Sequence, residues 1–409
     1  MHSIFSQYTR VDRSTRALIG AQFFIQMINA AFIQILLIYM AKAGYNDADG
    51  ADFISYRFLG VLLMSIPLGI LIKGRRIKPL FITACCATPL LSILVVLAIH
   101  ARQDALINLF QFLWGLGLAC IQVCAIPYIL RNGSEDARIE AITLSSSTWS
   151  LGGIVSGSLI FILSGISPGF FNEKNCLLFI SVLGFLSLPC LAWVKKDRAD
   201  DLDMSEGRKY TMADLALVLK ASIPSLLLAI GAGLTIPFVG IFFFHVHGMD
   251  SHEFALLSAV TTIIVFFSFL VVPNLKYRFG VTRAIIISQA AAIFLLVNLA
   301  LTQVYASVSV AVVVAAICFM FRQPLMNLVS PLAIDVTMDF VGRKNRELLS
   351  ALEAAIWSGS WFLSSKIFLN LRRADLDYVW VFMITAVVYS ISVIMFYRLI
   401  LRPVALRSR

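Results

Sequence analysis

Apolar residues run along this chain in long blocks, and the polar positions between the blocks recur at regular intervals. Twelve blocks are long enough to cross a bilayer core, which takes roughly 20 mostly apolar residues as a helix. They lie at 17–42, 51–72, 79–100, 105–130, 139–164, 174–194, 217–246, 253–273, 282–302, 304–330, 347–370 and 377–401. None alternates with the period of a half-buried strand, and open sheet edges do not survive in lipid. The pattern predicts an all-α integral membrane protein with twelve transmembrane helices.

The connections between blocks alternate in charge. Most of the 33 Lys and Arg fall at the two ends of the chain and in every second connection. The remaining connections hold only Lys42, Arg102, Lys174, Lys366, Arg372 and Arg373. Cytoplasmic loops collect Lys and Arg, so both termini are expected on the cytoplasmic side of a bacterial inner (plasma) membrane. Composition supports the membrane reading. The chain is 59% hydrophobic and 14% charged, against about 45–50% and about 25% in soluble proteins. The net charge of +10 follows from the cytoplasmic loops and calls for no nucleic acid. The seven cysteines are odd in number and lie in or beside apolar stretches, as small buried residues do, and not as a disulfide framework or a zinc site. No cleavable leader is expected, because residues 1–16 are polar and the apolar run after them is long enough to span.

The longest polar stretch, 195–211, falls after six blocks. It divides the chain into an N-terminal six-helix bundle (1–194), a cytoplasmic linker (195–216) and a C-terminal six-helix bundle (217–409). The halves echo each other. Arg138 leads after eleven residues to Trp149-Ser150, and Arg346 leads after eleven to Trp357-Ser358, an offset of 208 in both the Arg and the Trp. Small residues follow each pair. Parallel six-span repeats, with substrate near the midplane, are one transporter plan.

On these residues the chain resembles the major facilitator superfamily. The stretch Pro273-Asn274-Leu275-Lys276-Tyr277-Arg278-Phe279-Gly280 to Arg283 is similar to the family's loop motif, with Lys276 in the place of the acid. Gly69 to Arg76 is a poorer copy, with Lys73 there. Glu135, Asp136, Asp335 or Asp339 are alternative partners for these basic groups. Gln111 to Ala119, with Gly115 and Gly117, resembles the fourth-span motif, but Gln111 stands where the family has an arginine tied to proton coupling. The fifth span has Gly152, Gly153 and Gly157 without the antiporter proline. The resemblance implies a twelve-helix fold of two pseudo-symmetric halves, with the first, fourth, seventh and tenth spans lining the pathway.

Polar groups inside a membrane are costly and serve as functional candidates. Gln22, Gln26 and Asn29 fall within about 60° on the first span, forming one stripe. Gln111 and Gln122 are about 20° apart on the fourth. Each set is a candidate substrate-binding surface or a set of interhelical hydrogen bonds. Arg57 either faces an anionic solute group or pairs with Asp52 and reaches outward. Arg322 and Glu353 lie at matched depth in the tenth and eleventh spans. They read as a coupling pair in which substrate or proton exchanges for the partner, or as a static pair joining two helices. Trp149 and Trp357 are cavity walls or packing. Three of the five histidines fall in His245 to Glu253, a set of residue types that can bind transition metals but in no specific spacing. Gly165, Ser167 and Gly169 match the hydrolase elbow by letter only, since that motif needs a preceding strand.

The expected function is secondary active transport of a small solute by alternating access, with a proton as one candidate coupling ion. The expected protein is a monomer among membrane lipids, without cofactor or bound metal. No clustered nucleophile, base or metal set points to an enzyme. The alternatives are a divalent-metal exporter on the same fold and a non-transporting receptor or scaffold.

Overall fold

The computed structural model describes residues 11–72, 76–132, 138–195, 211–268, 272–342 and 345–407. Among them all regular structure is helical. The chain divides into two compact units, one of residues 1–46 and 53–207 and the other of residues 47–52 and 208–409. The linker stretch 196–210, the first loop motif at 73–75 and the acids Glu135 and Asp136 lie outside the described residues.

The first unit holds α1 (Arg13–Lys42), most of α2 (Asp47–Leu71), α3 (Lys78–His100), α4 (Asp104–Gln122), α5 (Ala125–Asn132), α6 (Arg138–Ile166), α7 (Glu173–Leu183) and α8 (Ser187–Ala192). The second holds the first six residues of α2 together with α9 (Met212–Thr235), α10 (Val239–His247), α11 (Ser251–Ser268), α12 (Val272–Leu301), α13 (Val310–Leu328), α14 (Ser330–Val341), α15 (Arg346–Arg373), α16 (Tyr378–Phe396) and α17 (Arg402–Arg407).

Eleven of the described segments are long and apolar enough to cross a membrane. The helix α15, expected as the eleventh span, is 28 residues long. It is not among the eleven, because its serines and the charges Glu353, Lys366, Arg372 and Arg373 dilute its apolar character. Large apolar side chains such as Leu63, Phe294 and Val387 are more than half exposed. Apolar surface on this scale is what a lipid-facing wall presents.

Proline explains where the predicted spans break. Pro127 would clash with the carbonyl four residues before it and cannot donate a hydrogen bond. The fourth span accordingly ends at Gln122 and restarts as α5 at Ala125. Pro237 falls in the gap between α9 and α10 within the seventh span. Pro331 is the second residue of α14, two positions beyond the break at Val329. The tenth span was expected from residue 304 but begins at Val310. Residues 302–309 form turns, with Val304 and Val308 largely exposed. Hydropathy counts such residues as span although their backbone has left the helix.

The two units use the same pairings. In the first, α1 packs on α6 and on α7, and α3 packs on α4 and on α7. In the second, α9 packs on α15 and on α16, and α12 packs on α13 and on α16. Counted as spans these are 1 with 5 and 6, 3 with 4 and 6, and then 7 with 11 and 12, 9 with 10 and 12.

Helices in lipid gain little from apolar contact, so small residues and polar bonds hold them together. A Cβ added at Gly115 would lie 2.1 Å from the Arg57 carbonyl oxygen, and one at Gly60 would lie 2.3 Å from that of Phe112. The α2–α4 crossing therefore depends on two glycines. Gly233 is equally confined, with the Ser364 Cβ 2.7 Å from where its own would be. Ser364 also donates to the Ile230 carbonyl at 2.7 Å, so α9 and α15 are joined by a close approach and a bond at one level.

Gly115→Val is expected to destabilise the protein by at least about 1–3 kcal/mol, the ordinary range for overpacking. Gly69→Val, on the same α2 but with nothing near the added group, is expected to change stability by no more than about 0.5 kcal/mol. Thermal melting of both variants in one detergent checks the contrast.

Candidate functional site

In the first unit the α1 stripe is buried, with Gln22, Gln26 and Asn29 at 7%, 6% and 5% exposure. Its neighbour is α6. An added Cβ at Gly152 would meet the Gln26 backbone at 2.9 Å. Ser145 donates to the Gln22 side-chain oxygen at 2.7 Å, and Gln34 donates to the Gly153 carbonyl at 3.1 Å. Gln22 thus serves as an interhelical bond, while the Gln26 Oε1 is buried without a hydrogen-bond partner. On α4, Gln111 is fully buried and neither of its amide atoms has a partner. Gln122 is exposed. The two glutamines share an angle on the helix but not an environment.

Arg57 is 1% exposed, and its guanidinium lies 4.5 Å from the centre of the Trp114 ring. Its Nε and Nη1 lack hydrogen-bond partners, and no carboxylate pairs with it among the described residues. Asp52 does not hold it: that carboxylate meets Lys366 at 2.5 Å. The guanidinium does not reach outward either, because the glycine-narrowed crossing with α4 encloses it. Trp149 is 41% exposed.

In the second unit the expected pairing of Arg322 with Glu353 is not formed. Arg322, 3% exposed, donates through Nη2 to the Tyr389 hydroxyl at 3.3 Å, and its Nε has no partner. Glu353 accepts instead from the Ser225 hydroxyl of α9. The cause is the direction of each helix face. Glu353, Ser360 and Ser364 share the side of α15 that packs on α9, whereas Arg322 points from α13 to α16. Matched depth fixed the level of the two groups but not their azimuth.

Glu353 lines a cavity of about 380 Å³, within the general range of small-ligand sites (about 300–1,000 Å³). Ser225 of α9, Gln289 of α12, Ser330 and Thr337 of α14 and Ser392 of α16 contribute neutral polar atoms, and Trp357 contributes an aromatic wall. Glu353 is the one charged group among the lining residues.

A second polar cluster in this unit was not singled out from the sequence. The Asp47 carboxylate meets Arg372 at 3.2 Å and His245 Nδ1 at 3.3 Å, and it accepts from the Tyr378 hydroxyl. The Arg372 guanidinium also lies 4.5 Å from the Tyr378 ring centre. The run Asp47 to Asp52 reads as an ordinary acidic loop. The available signal was Arg372, a basic residue on the side where such residues are scarce. His245 is thereby drawn away from its loop. His247 Nε2 lies 3.0 Å from the Thr302 hydroxyl, and Glu253 accepts from the Asp250 amide. The metal-binding reading of this loop is not supported: among the described residues no group of three or more His, Cys, Asp and Glu is arranged to hold a metal ion.

Two units with one pairing scheme, built from long apolar helices around buried polar groups, describe a membrane transporter fold. A sequence model of the Major Facilitator Superfamily matches residues 18–365, and the chain belongs to that family. No curated protein matches the chain by sequence. A point mutant of the nucleoside transporter NupG is similar in structure, with TM-score 0.74 and 13% identity over 94% of this chain and 99% of that one. A bacterial homologue of the human lysosomal transporter Spinster, inward-facing and occupied, gives TM-score 0.66 and 17% identity over 95% and 97%. A bacterial homologue of the iron transporter ferroportin, inward-facing, gives 0.70 and 10% over 97% and 99%. These likenesses establish the fold.

Asp47→Asn is expected to lower stability by about 1–3 kcal/mol, because it weakens the bonds of a buried, charge-assisted cluster. Removing the Lys42–Glu173 pair, whose lysine is 37% exposed, is expected to cost less than about 1 kcal/mol. Melting curves of Asp47→Asn and Lys42→Ala rank the two.

Proposed function

We propose that this protein is a secondary active transporter that moves a small solute by alternating access, with Glu353 as its coupling group and a proton as the coupling ion. The observation that carries this reading is the setting of Glu353. It is a half-buried carboxyl on α15, the expected eleventh span, with one serine as its polar partner among the described residues and a ligand-sized cavity beside it. An ionisable group inside a membrane is a functional site by default. A carboxyl locked to Arg322 would be a strut. One held by a single neutral hydroxyl is able to exchange a proton for another partner, which is the elementary requirement for coupling.

The fold supports the class and leaves the cargo open. The similar structures are named as transporters of nucleosides and as homologues of the lysosomal transporter Spinster and of the iron transporter ferroportin. On this proposal the protein works as a monomer in a bacterial inner membrane with both termini cytoplasmic, as the distribution of Lys and Arg supports. Gln26, Gln111 and Arg57 are proposed as the polar groups of the first unit that a solute or water satisfies, since each has buried atoms without a protein partner. Leaving such atoms unsatisfied costs about 1–3 kcal/mol each.

Purified protein is screened against a solute library by stability shift, and each hit is tested in proteoliposomes carrying an internal pH dye. Solute-driven proton movement is expected from the wild type. Glu353→Gln is expected to slow it by on the order of tenfold, about 1.4 kcal/mol on the barrier, with reconstitution unchanged. A solute that binds but moves neither itself nor protons would make the protein a receptor or scaffold. Gln26→Ala and Asn29→Ala are expected to change the apparent affinity for the same solute, and unchanged uptake kinetics in both would remove the stripe from the pathway.

A further inference from the structure

The cavity at Glu353 contains enough chemistry to define what it binds. Every lining side chain other than Glu353 is neutral, and none is Lys, Arg or His among the described residues. A single carboxylate in an otherwise neutral, mostly apolar enclosure attracts one positive charge and repels anions. Its attraction is stronger than in bulk water, because the mostly apolar wall lowers the local dielectric. The rest of the wall is adapted to a lipophilic body. Met326 and Met338 present thioethers, which conform to irregular apolar shapes. Trp357 lies one turn from Glu353 on the same helix face, so ring and carboxylate border one space. Aromatic faces attract cations, including those with no N–H to donate.

The hydrogen bonding points the same way. Ser225 donates to one oxygen of the Glu353 carboxylate, and among the described residues no other polar contact engages the group. Besides Glu353, a highly polar cation would find the Gln289 amide oxygen and a few hydroxyls in place of its full hydration shell. A cation whose charge is spread over apolar groups loses little.

We propose that the second unit holds a binding site for lipophilic monocations, with Glu353 as the counter-charge and Trp357 as the aromatic wall. The proposal deepens the transport reading by naming a ligand class for the coupling carboxyl, and it rests on that reading only for its biological role. Binding itself needs no gradient and no movement of solute.

The test is equilibrium binding of radiolabelled tetraphenylphosphonium to the purified full-length protein, with tetraphenylborate as an anion of matched size and shape. Saturable binding of the cation is expected, with no saturable binding of the anion. Glu353→Gln is expected to weaken cation binding by about tenfold or more, the ratio that the loss of one ionic contact produces. Lys42→Ala, which removes a positive charge outside the cavity lining, is expected to bind within about threefold of wild type, as a surface substitution does. Equal affinity in Glu353→Gln, equal binding of the anion, or no saturable cation binding would each overturn the proposal. Should Glu353→Gln fail to fold, Ala333→Phe places a ring in the cavity from α14. Loss of cation binding in that variant supports the site, and unchanged binding overturns it. A protein that binds the cation and transports nothing would end the transport reading alone. One that transports a neutral solute and ignores the cation would end this proposal alone.

Discussion

Lipid offers no hydrogen bonds, and that constraint organises this molecule. A backbone amide or a side-chain oxygen within the bilayer must find its partner in the protein, in trapped water or in a ligand. Helices solve the backbone problem locally. The side chains divide into those whose needs are met by a neighbouring helix and those whose needs are not. Ser364 with the Ile230 carbonyl, Ser145 with Gln22 and Gln34 with the Gly153 carbonyl belong to the first kind. Such bonds hold helices together where apolar attraction contributes little. Gln26, Gln111, Arg57 and Arg322 belong to the second. The proposed function assigns the unmet needs of Gln26, Gln111 and Arg57 to solute or water.

The two buried arginines extend this reasoning. Neither has a carboxylate partner among the described residues, and each lies against an aromatic ring, Trp114 for Arg57 and Tyr389 for Arg322. A guanidinium is weakly hydrated and tolerates a ring face better than an ammonium would. Trp114 and Arg322 are 208 residues apart, the offset at which Trp149 and Trp357 also recur. The repeated framework thus carries a ring at one position in the first half and a charge at its counterpart in the second. Glu353, whose counterpart at that offset is Ser145, is likewise charged in one half only. Identical scaffolds with unlike polar groups give each unit its own chemistry.

The fold was legible in the sequence because lipid imposes a long, uniform apolar pattern that a reader can count. Helix breaks were partly legible, since Pro127, Pro237 and Pro331 sit at or just after them. The false start of the tenth span was not, because Val304 and Val308 are apolar in a turn. The site was harder to read. Depth in the membrane follows from position in a span, so Arg322 and Glu353 were placed at one level. The face each helix turns to its neighbours depends on packing partners that hydropathy does not encode, and so Glu353 meets Ser225 and Arg322 meets Tyr389. The Asp47 cluster is hidden in the sequence for a related reason. Its partners Arg372, His245 and Tyr378 lie roughly 200 to 330 positions away, and no local pattern announces a contact of that range.

The account turns on whether the Glu353 carboxyl changes partner when solute binds. Infrared difference spectroscopy of the protein in lipid, with solute added at constant pH, observes that group directly. Loss of a protonated-carboxyl band is expected on solute binding, and that change is expected to be absent from the difference spectrum of Glu353→Gln. A spectrum without a carboxyl change, or one that is the same in the variant, would contradict it.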